Sequence, residues 1–306
     1  MTKLRLFLDK NKIEYCLDFD VVNISSMRIG NKLKLAIFPK KEKELCKVLT
    51  YLHSTKTKFK VVGNLSNVLF VGEICYPVIV TNKMNDEIVI NKNVVKVSSG
   101  VLLNKLCETL KKNCLSGFEG LVGIPATVGG AIFNNAGAFG YSISDHLIKI
   151  SVFENGKVFD VFKNEIKFCY HKTNLSGFVV LSATFLFEFK NEYDIINLCN
   201  EFTFKRNKTQ PNGFSLGSVY SKVNGKSAGF FIERAGLKGT RVGGVFVSNK
   251  HANFFVNDKF GTSLDFLRLS ALVEERVEKQ FGVTLVLEIE KVGDKNEINC
   301  RLPYSF

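Results

Sequence analysis

The chain has no tryptophan among its 306 residues, although phenylalanine, lysine, asparagine and isoleucine are abundant. Such a composition can reflect biased base usage in the coding DNA and excludes no function by itself. Other absences exclude more. No uninterrupted apolar run approaches the roughly 18 to 20 residues needed to cross a bilayer, so no membrane-spanning helix is expected. The opening segment Met1 to Leu8 carries a short apolar patch without a cleavage-site pattern, so no secretory signal is expected. Eight cysteines, Cys16, Cys46, Cys75, Cys107, Cys114, Cys169, Cys199 and Cys300, are scattered without a Cys-x-x-Cys pair. They read as reduced core thiols of a cytoplasmic protein, and no metal site is expected. There is no Gly-x-Gly-x-x-Gly, which rules out the Rossmann dinucleotide fingerprint. Internal repeats and low-complexity segments are also missing.

What is present fits a globular protein of two or three domains: 45% hydrophobic and 23% charged residues. Lysine and arginine number 42 against 29 aspartates and glutamates, a net charge of +13. The lysines are spread along the whole chain and not gathered with aromatics on one element, so no nucleic-acid surface is expected. The positive field would still attract small anionic ligands.

The patterning is mixed α and β. Residues 33–39 alternate as a strand, and Leu45, Val48, Leu49 and Leu52 then fall at helical spacing. Residues 59–63 read as strand into turn, 94–97 as strand and 101–112 as helix. Asn155-Gly156 between two β-prone runs is a hairpin signature, and 178–189 is strongly β-prone. A polar connection over 205–213 marks a domain boundary. Residues 263–281 form an amphipathic helix ended by Gly282, and 284–292 a closing strand.

The most informative stretch is Gly123-Ile-Pro-Ala-Thr-Val-Gly-Gly-Ala-Ile-Phe-Asn-Asn-Ala-Gly-Ala-Phe-Gly140. A backbone so bare can fold sharply and approach an anion closely; the same composition would also serve a tight turn in a crowded core. Its residues resemble the flavin-binding loop of the UDP-N-acetylenolpyruvoylglucosamine reductase (MurB) family, close to G-I-P-G-x-x-G-G-x-x-x-x-N-x-G-A. Further matches follow in the family's order. Ser25-Ser-Met-Arg-Ile-Gly30 resembles T-S-x-R-I-G-G, and Gly217-Ser-Val-Tyr220 resembles G-S-x-F. Ser227-Ala-Gly-Phe-Phe-Ile-Glu-Arg-Ala-Gly-Leu-Lys-Gly239 resembles S-A-G-x-L-I-x-x-A-G-L-K-G. Gly243-Gly244 with Lys250-His-Ala-Asn-Phe-Phe-Val-Asn257 resembles G-G-x-x-V-S-x-K-H-A-x-F-x-V-N, and Leu287-Glu-Ile-Glu290 resembles L-E-x-E. So long an ordered set is far more specific than one glycine loop.

The resemblance implies an α+β fold: an FAD-binding PCMH-type domain pair over residues 1–204, then an α+β substrate domain of the MurB C-terminal type over 205–306. It implies NADPH-driven, FAD-mediated reduction of an enolpyruvyl UDP-sugar in peptidoglycan precursor synthesis, in the cytoplasm, by a monomer without nucleic-acid or membrane partners. The cofactor-binding residues it implies are Gly63, Ser66, Asn67, Pro125, Ala126, Thr127, Gly129, Gly130, Asn135, Gly137 and Ala138. Ser218 matches the proton-donating serine and Glu290 the second glutamate of L-E-x-E, which helps stabilise an enolate-like anion. Seen alone, Ser218 could be a turn or cap residue, and Glu290 an exposed strand carboxylate sharing a face with Glu288.

Some positions depart from the family. In F-x-Y-R-x-S an arginine holds the substrate carboxylate; this chain reads Phe168-Cys-Tyr-His-Lys-Thr173, with His171 in that place and Lys172 expected to face the opposite way. An imidazole cannot reproduce the planar fork of arginine. The loop G-G-G-S-N-L-L becomes Gly63-Asn-Leu-Ser-Asn-Val-Leu69, so Asn64 and Leu65 replace glycines, and Leu tolerates left-handed backbone poorly. Asn31 and Ala126 also replace glycines. No tyrosine-bearing insertion precedes residue 190, which resembles the shorter type II subgroup. Arg206, Lys208, Lys222 and Lys250 are candidate contacts for the UDP moiety, or solvated surface charges. Two alternatives stay open: a flavin-binding descendant that has lost turnover, and another PCMH-type flavin oxidoreductase. The retained Ser218 and Glu290 speak against the first, and the series from Gly217 to Glu290 against the second.

Overall fold

The computed structural model describes residues 1–84 and 87–293; Cys300 lies outside them. The chain forms two compact units. Among the described residues, the first comprises Met1–Leu17, Leu35–Asn64 and Tyr76–Arg206, and the second Asp18–Lys34, Leu65–Cys75 and 207–293.

In the first unit, the helical spacing over 45–52 becomes the helix Glu42–Ser54, whose Leu45, Val48, Leu49 and Leu52 are completely buried. They pack with Leu35, Ile37, Ile79, Phe153 and Leu181. At roughly 1.5–3 kcal/mol per buried side chain, these four contribute on the order of 6–12 kcal/mol of hydrophobic stabilisation, an upper figure because the unfolded chain already buries some area. Strands Glu14–Asp20, Lys32–Phe38, Val78–Val80 and Lys60–Val62 lie in that order in one sheet, the last three parallel. A five-stranded antiparallel sheet runs Lys157–Phe162, Leu147–Glu154, Val179–Leu186, Val94–Ser98, Ile88–Asn91. The Asn155-Gly156 signature is its first hairpin turn; both residues take the left-handed backbone a two-residue turn needs, φ 50° and 80°.

The helix Glu192–Thr209 runs through what the sequence suggested was a polar connection at 205–213. Ile195, Cys199 and Phe202 bury one side of it, and Lys205 pairs with Glu201 one turn back. Arg206 reaches the carbonyls of Val122 and Gly120, which holds the last turn helical.

The second unit is built on the helix Ser263–Phe281, whose limits match the amphipathic pattern. Thr262 and Asp265 form a reciprocal capping box at its start, and Gly282 closes it at φ 64°. Its Phe266, Leu269, Val273 and Val277 pack with Met27, Leu69, Val71, Val219, Tyr220, Val245 and Phe255. The expected strand over 284–292 is shorter. A single bridge pairs Leu287 with Tyr220, Ile289 is a bend, and only Glu290–Gly293 forms a strand, parallel to Val68–Val71. The chain changes partner at the bend, so one continuous strand cannot serve both.

The thiols are less buried than expected. Cys107 and Cys199 are buried, whereas Cys16, Cys75 and Cys169 are exposed. Among the described residues no helix is long and apolar enough to cross a membrane.

Candidate functional site

The first unit brings the start of one loop that the sequence assigns to a flavin, Gly63 and Asn64, against the other, residues 123–140. Gly63 follows the strand Lys60–Val62, and a Cβ there would lie 2.2 Å from Thr127 Oγ1, so only glycine permits this approach. Asn64 donates its side-chain amide to Pro125 O at 2.9 Å. The asparagine that replaces a family glycine therefore ties one loop to the other.

Thr127 caps the short helix Val128–Phe133 by accepting from Gly130 N–H at 3.3 Å. The bare backbone does not offer all its amides to a ligand. Those of Val128 and Gly129 donate to Val101 O and Ser99 O, both at 2.8 Å. The loop's contribution is steric: Ala126, Gly129, Gly130, Gly137 and Ala138 are half-buried and present no side chain beyond Cβ. Ala126 needs no left-handed backbone, so its replacement of glycine is without strain. Asn135, at φ 42°, accepts from Ser142 Oγ at 2.7 Å and donates to Cys169 O at 2.9 Å.

That last bond reaches the segment carrying His171. Phe168–Cys169 pairs antiparallel with Lys172–Thr173, and Thr173 Oγ1 donates to Phe133 O at 2.8 Å. His171 stands in the turn between them at φ 50°, its ring edge-on to Tyr170. The segment is thus a hairpin tip and not the extended run from which opposite facings of His171 and Lys172 were expected. The small residues, the close approach at Gly63 and the tied loops fit a flavin; Gly63, Pro125, Ala126, Thr127, Gly129, Gly130, Asn135, Gly137 and Ala138 of this unit would hold it, whereas Ser66 and Asn67, expected alongside them, belong to the second unit.

The second unit gathers motifs far apart in sequence around Ser218. Gly217, at φ 79°, turns the chain before the serine, whose side chain is exposed. The following residues run between two segments. On one side Ser218 bridges Phe254, and Val219 N–H donates to Asn253 O at 2.8 Å. On the other, Glu288 N–H donates to Val219 O at 2.8 Å and Ser221 N–H to Val286 O at 2.9 Å. Asn67 joins the group: its side chain donates to Glu288 O at 3.2 Å, and its carbonyl accepts from Glu290 N–H at 3.0 Å. Ser218, Glu290 and Asn67 are therefore assembled by one backbone network, with Ser66 adjoining in sequence.

Burial raises the Glu288 carboxyl to about 7, with nearby Lys222 opposing the shift. Glu288 and Glu290 do not share a strand face, because the bend at Ile289 separates them. Tyr220, phenylalanine in the family pattern, is buried and donates its hydroxyl to Ser270 O at 3.0 Å. Burial pushes the Glu274 carboxyl up, against the lowering effect of a hydrogen bond with Tyr220.

Of the candidate nucleotide contacts, Arg206 is committed to the Gly120–Val122 turn and lies over the Phe139 ring, and burial lowers its pKa. Lys250 donates to Asn207 O, while Lys208 and Lys222 are exposed. Two residues escaped the sequence reading. Asn104 accepts from Gly123 N–H at 2.7 Å and fixes the loop's entry. Asn253 occupies a variable position of the K-H-A-x-F pattern; a lone amide between Ala252 and the apolar run Phe254-Phe-Val256 was the signal.

The family pattern described as "UDP-N-acetylenolpyruvoylglucosamine reductase, C-terminal domain" matches residues 209–292, and "FAD binding domain" matches residues 33–161. The chain is similar to UDP-N-acetylenolpyruvoylglucosamine reductase of Caldicellulosiruptor bescii, 33% identical over 298 residues and 95% of each chain. The protein of that name from Fusobacterium nucleatum is 34% identical, covering 88% of this chain and 96% of its own. The crystal structure of UDP-N-acetylenolpyruvylglucosamine reductase from Thermus caldophilus superposes with a TM-score of 0.78 at 29% identity, over 91% of this chain and 98% of that one. With one-third of its residues identical over nearly the full length of such relatives, and both patterns matched, the chain belongs to the UDP-N-acetylenolpyruvoylglucosamine reductase family.

Proposed function

We propose that this protein reduces the enolpyruvyl double bond of UDP-N-acetylenolpyruvoylglucosamine to the lactyl ether of UDP-N-acetylmuramate, a peptidoglycan precursor, with NADPH as electron donor and FAD as carrier. The observation that carries this reading is the assembly of Ser218, Glu290 and Asn67 in one hydrogen-bonded network within a chain that matches the family over 95% of its length. A bound flavin supplies the transfer of a hydride equivalent from nicotinamide to an activated alkene. In this reading residues 1–204 form the flavin-binding region and 205–306 the substrate domain. The protein acts in the cytoplasm as a monomer, with NADPH and a UDP-sugar as partners and neither nucleic acid nor membrane.

The overall balance fixes what the protein's own groups do. Hydride addition at the terminal vinyl carbon consumes the C=C π bond and moves a pair of electrons toward the substrate carboxylate. One proton must then reach the adjacent carbon. Ser218 has an exposed hydroxyl on a segment bonded along both sides, and it supplies that proton. A hydroxyl is a weak acid, so it can do this only against a strongly basic carbanion. Glu290, fixed through its amide to Asn67, serves the stabilisation of the charge-bearing intermediate. His171 serves the substrate carboxylate in the place of the family's arginine; its support is its position in the motif and the two bonds that pin its hairpin to the flavin loop.

The test is direct. Purified protein carries non-covalent FAD, released on denaturation, and NADPH oxidation at 340 nm accelerates on adding the enolpyruvyl UDP-sugar. Protein that stays colourless and does not quench added flavin, or that oxidises NADPH at one rate with and without substrate, refutes the reading. In the second outcome, flavin without substrate-dependent turnover, the protein is instead a non-catalytic flavoprotein of the family.

A further inference from the structure

Ser218 must deliver a proton from an exposed position, yet the residue before it is the least constrained type of all. Gly217 sits at φ 79°, and a Cβ there would meet nothing within 4 Å. The chain before it is anchored at Leu216, buried in the core, and at Phe214 O, which accepts from Asn257 N–H at 2.9 Å; beyond the glycine, the hydroxyl is placed by the residues that follow, Val219 and Tyr220.

Both are held by Asn253. Its backbone carbonyl accepts from Val219 N–H at 2.8 Å. Its side-chain oxygen accepts from Tyr220 N–H at 3.0 Å, and its side-chain amide donates to Tyr220 O at 2.8 Å. The amide thus occupies both polar groups of one peptide residue, as a neighbouring strand would, at a place where the paired segment consists of a single bridge. Asn253 is only 4% exposed, so water cannot substitute for either bond. It is fixed in turn: its own N–H donates to His251 Nδ1 at 3.2 Å, and Phe254 N–H and Ser248 N–H close the turn onto His251 O and Phe254 O. Bonds on the opposite side, from 286–288, are main chain to main chain. They constrain the segment without supplying a side chain that could be tuned.

We infer that Asn253 is the positioning residue for Ser218: through its paired bonds to Tyr220 it sets where the serine hydroxyl stands relative to the substrate carbon. This inference rests on the reading of Ser218 as proton donor. Asn253 itself touches neither reacting atom in this assignment and acts through the backbone.

A double-mutant cycle on the FAD-loaded enzyme tests it, with the two half-reactions followed separately by stopped-flow flavin absorbance. Asn253→Ala should leave flavin reduction by NADPH at its wild-type rate and slow reoxidation by the enolpyruvyl UDP-sugar by about 10- to 100-fold, the scale of a misplaced catalytic group. In a Ser218→Ala background the same change should alter reoxidation less than about 2-fold, because the group it places is gone. Asn253→Asp covers the case in which the alanine variant does not fold. Its ionised carboxylate opposes the Tyr220 carbonyl, whereas the protonated acid can donate to it, so reoxidation should recover as pH falls in this variant and not in wild type. Equal slowing by Asn253→Ala in both backgrounds, or loss of both half-reactions together, would assign Asn253 a general structural role and overturn the inference. If Ser218→Ala slows reoxidation but neither Asn253 variant does, the inference fails and the functional reading stands. Wild-type reoxidation in Ser218→Ala alone overturns both.

Discussion

Gly63→Ala isolates the contact on which the candidate flavin cradle depends. The added Cβ would fall 2.2 Å from Thr127 Oγ1 and 3.3 Å from Thr127 Cβ and Cγ2. The first distance is impossible and the others are tight, so Thr127 must rotate. That side chain is 1% exposed and its oxygen accepts from Gly130 N–H. Rotation removes the helix cap, at about 1 kcal/mol, and forces a side chain off its rotamer in a packed site, at about 0.5–1.5 kcal/mol. The sum is about 1.5–2.5 kcal/mol, which for a unit of 150–250 residues lowers Tm by roughly 3–10 °C. Circular dichroism suits the measurement, since the chain lacks tryptophan, and FAD affinity should fall in parallel. In a Thr127→Ala background the clashing oxygen is gone, so Gly63→Ala should cost less than about 0.5 kcal/mol there. An unchanged Tm for Gly63→Ala, or the same loss in both backgrounds, would show that the two loops do not meet through this contact.

Glu288→Gln should raise thermal stability above pH 7 and leave it unchanged near pH 4. Burial holds the Glu288 carboxyl at about 7, above its unfolded value, so its contribution is present below the unfolded pKa and is lost as pH rises through 7; a flat difference across that range refutes the assignment. Leu65 occupies left-handed backbone at φ 51° with its side chain 2% exposed. Leu65→Gly relieves strain of about 1–2 kcal/mol but removes burial worth about 1.5–3 kcal/mol, so urea unfolding should show a net loss of up to about 2 kcal/mol, and a gain would mean that strain dominates. For His171, His171→Ala should raise KM for the enolpyruvyl substrate without changing flavin reduction by NADPH, and His171→Arg should preserve or improve substrate turnover. Wild-type kinetics in both variants would assign the carboxylate to another group.

Much of the fold was legible because it is written in local chemistry. The helix Ser263–Phe281 announces itself by apolar spacing and by Gly282 beyond its end; the capping box of Thr262 and Asp265 is what the structure adds. The 147–162 hairpin follows from two β-prone runs around Asn155-Gly156, where left-handed backbone is cheap for those residues. The C-terminal end of the helix Glu192–Thr209 is not legible locally, because its last turn is polar. What keeps it helical is Arg206 bonded to carbonyls more than eighty residues away, a cause no local window contains.

The candidate site divides along the same line. The sequence by itself determined which residue types were available: a glycine-rich loop, a serine after glycine, paired glutamates near the end and a histidine where arginine is usual. Those are properties of order and composition, and the family's motifs preserve them. Only the tertiary structure decided which of them meet. Asn67 and Glu288 are 221 residues apart and share a hydrogen bond, and Asn253 clamps Tyr220 across 33 residues with both ends of one amide. It also decided that Asn64, in place of glycine, holds the loops together, and that the amides of Val128 and Gly129 are spent inside the protein. The physical reason is that a hydrogen bond is selected by distance and direction in space, which packing of the whole core sets, whereas a sequence specifies only which donors and acceptors exist to be placed.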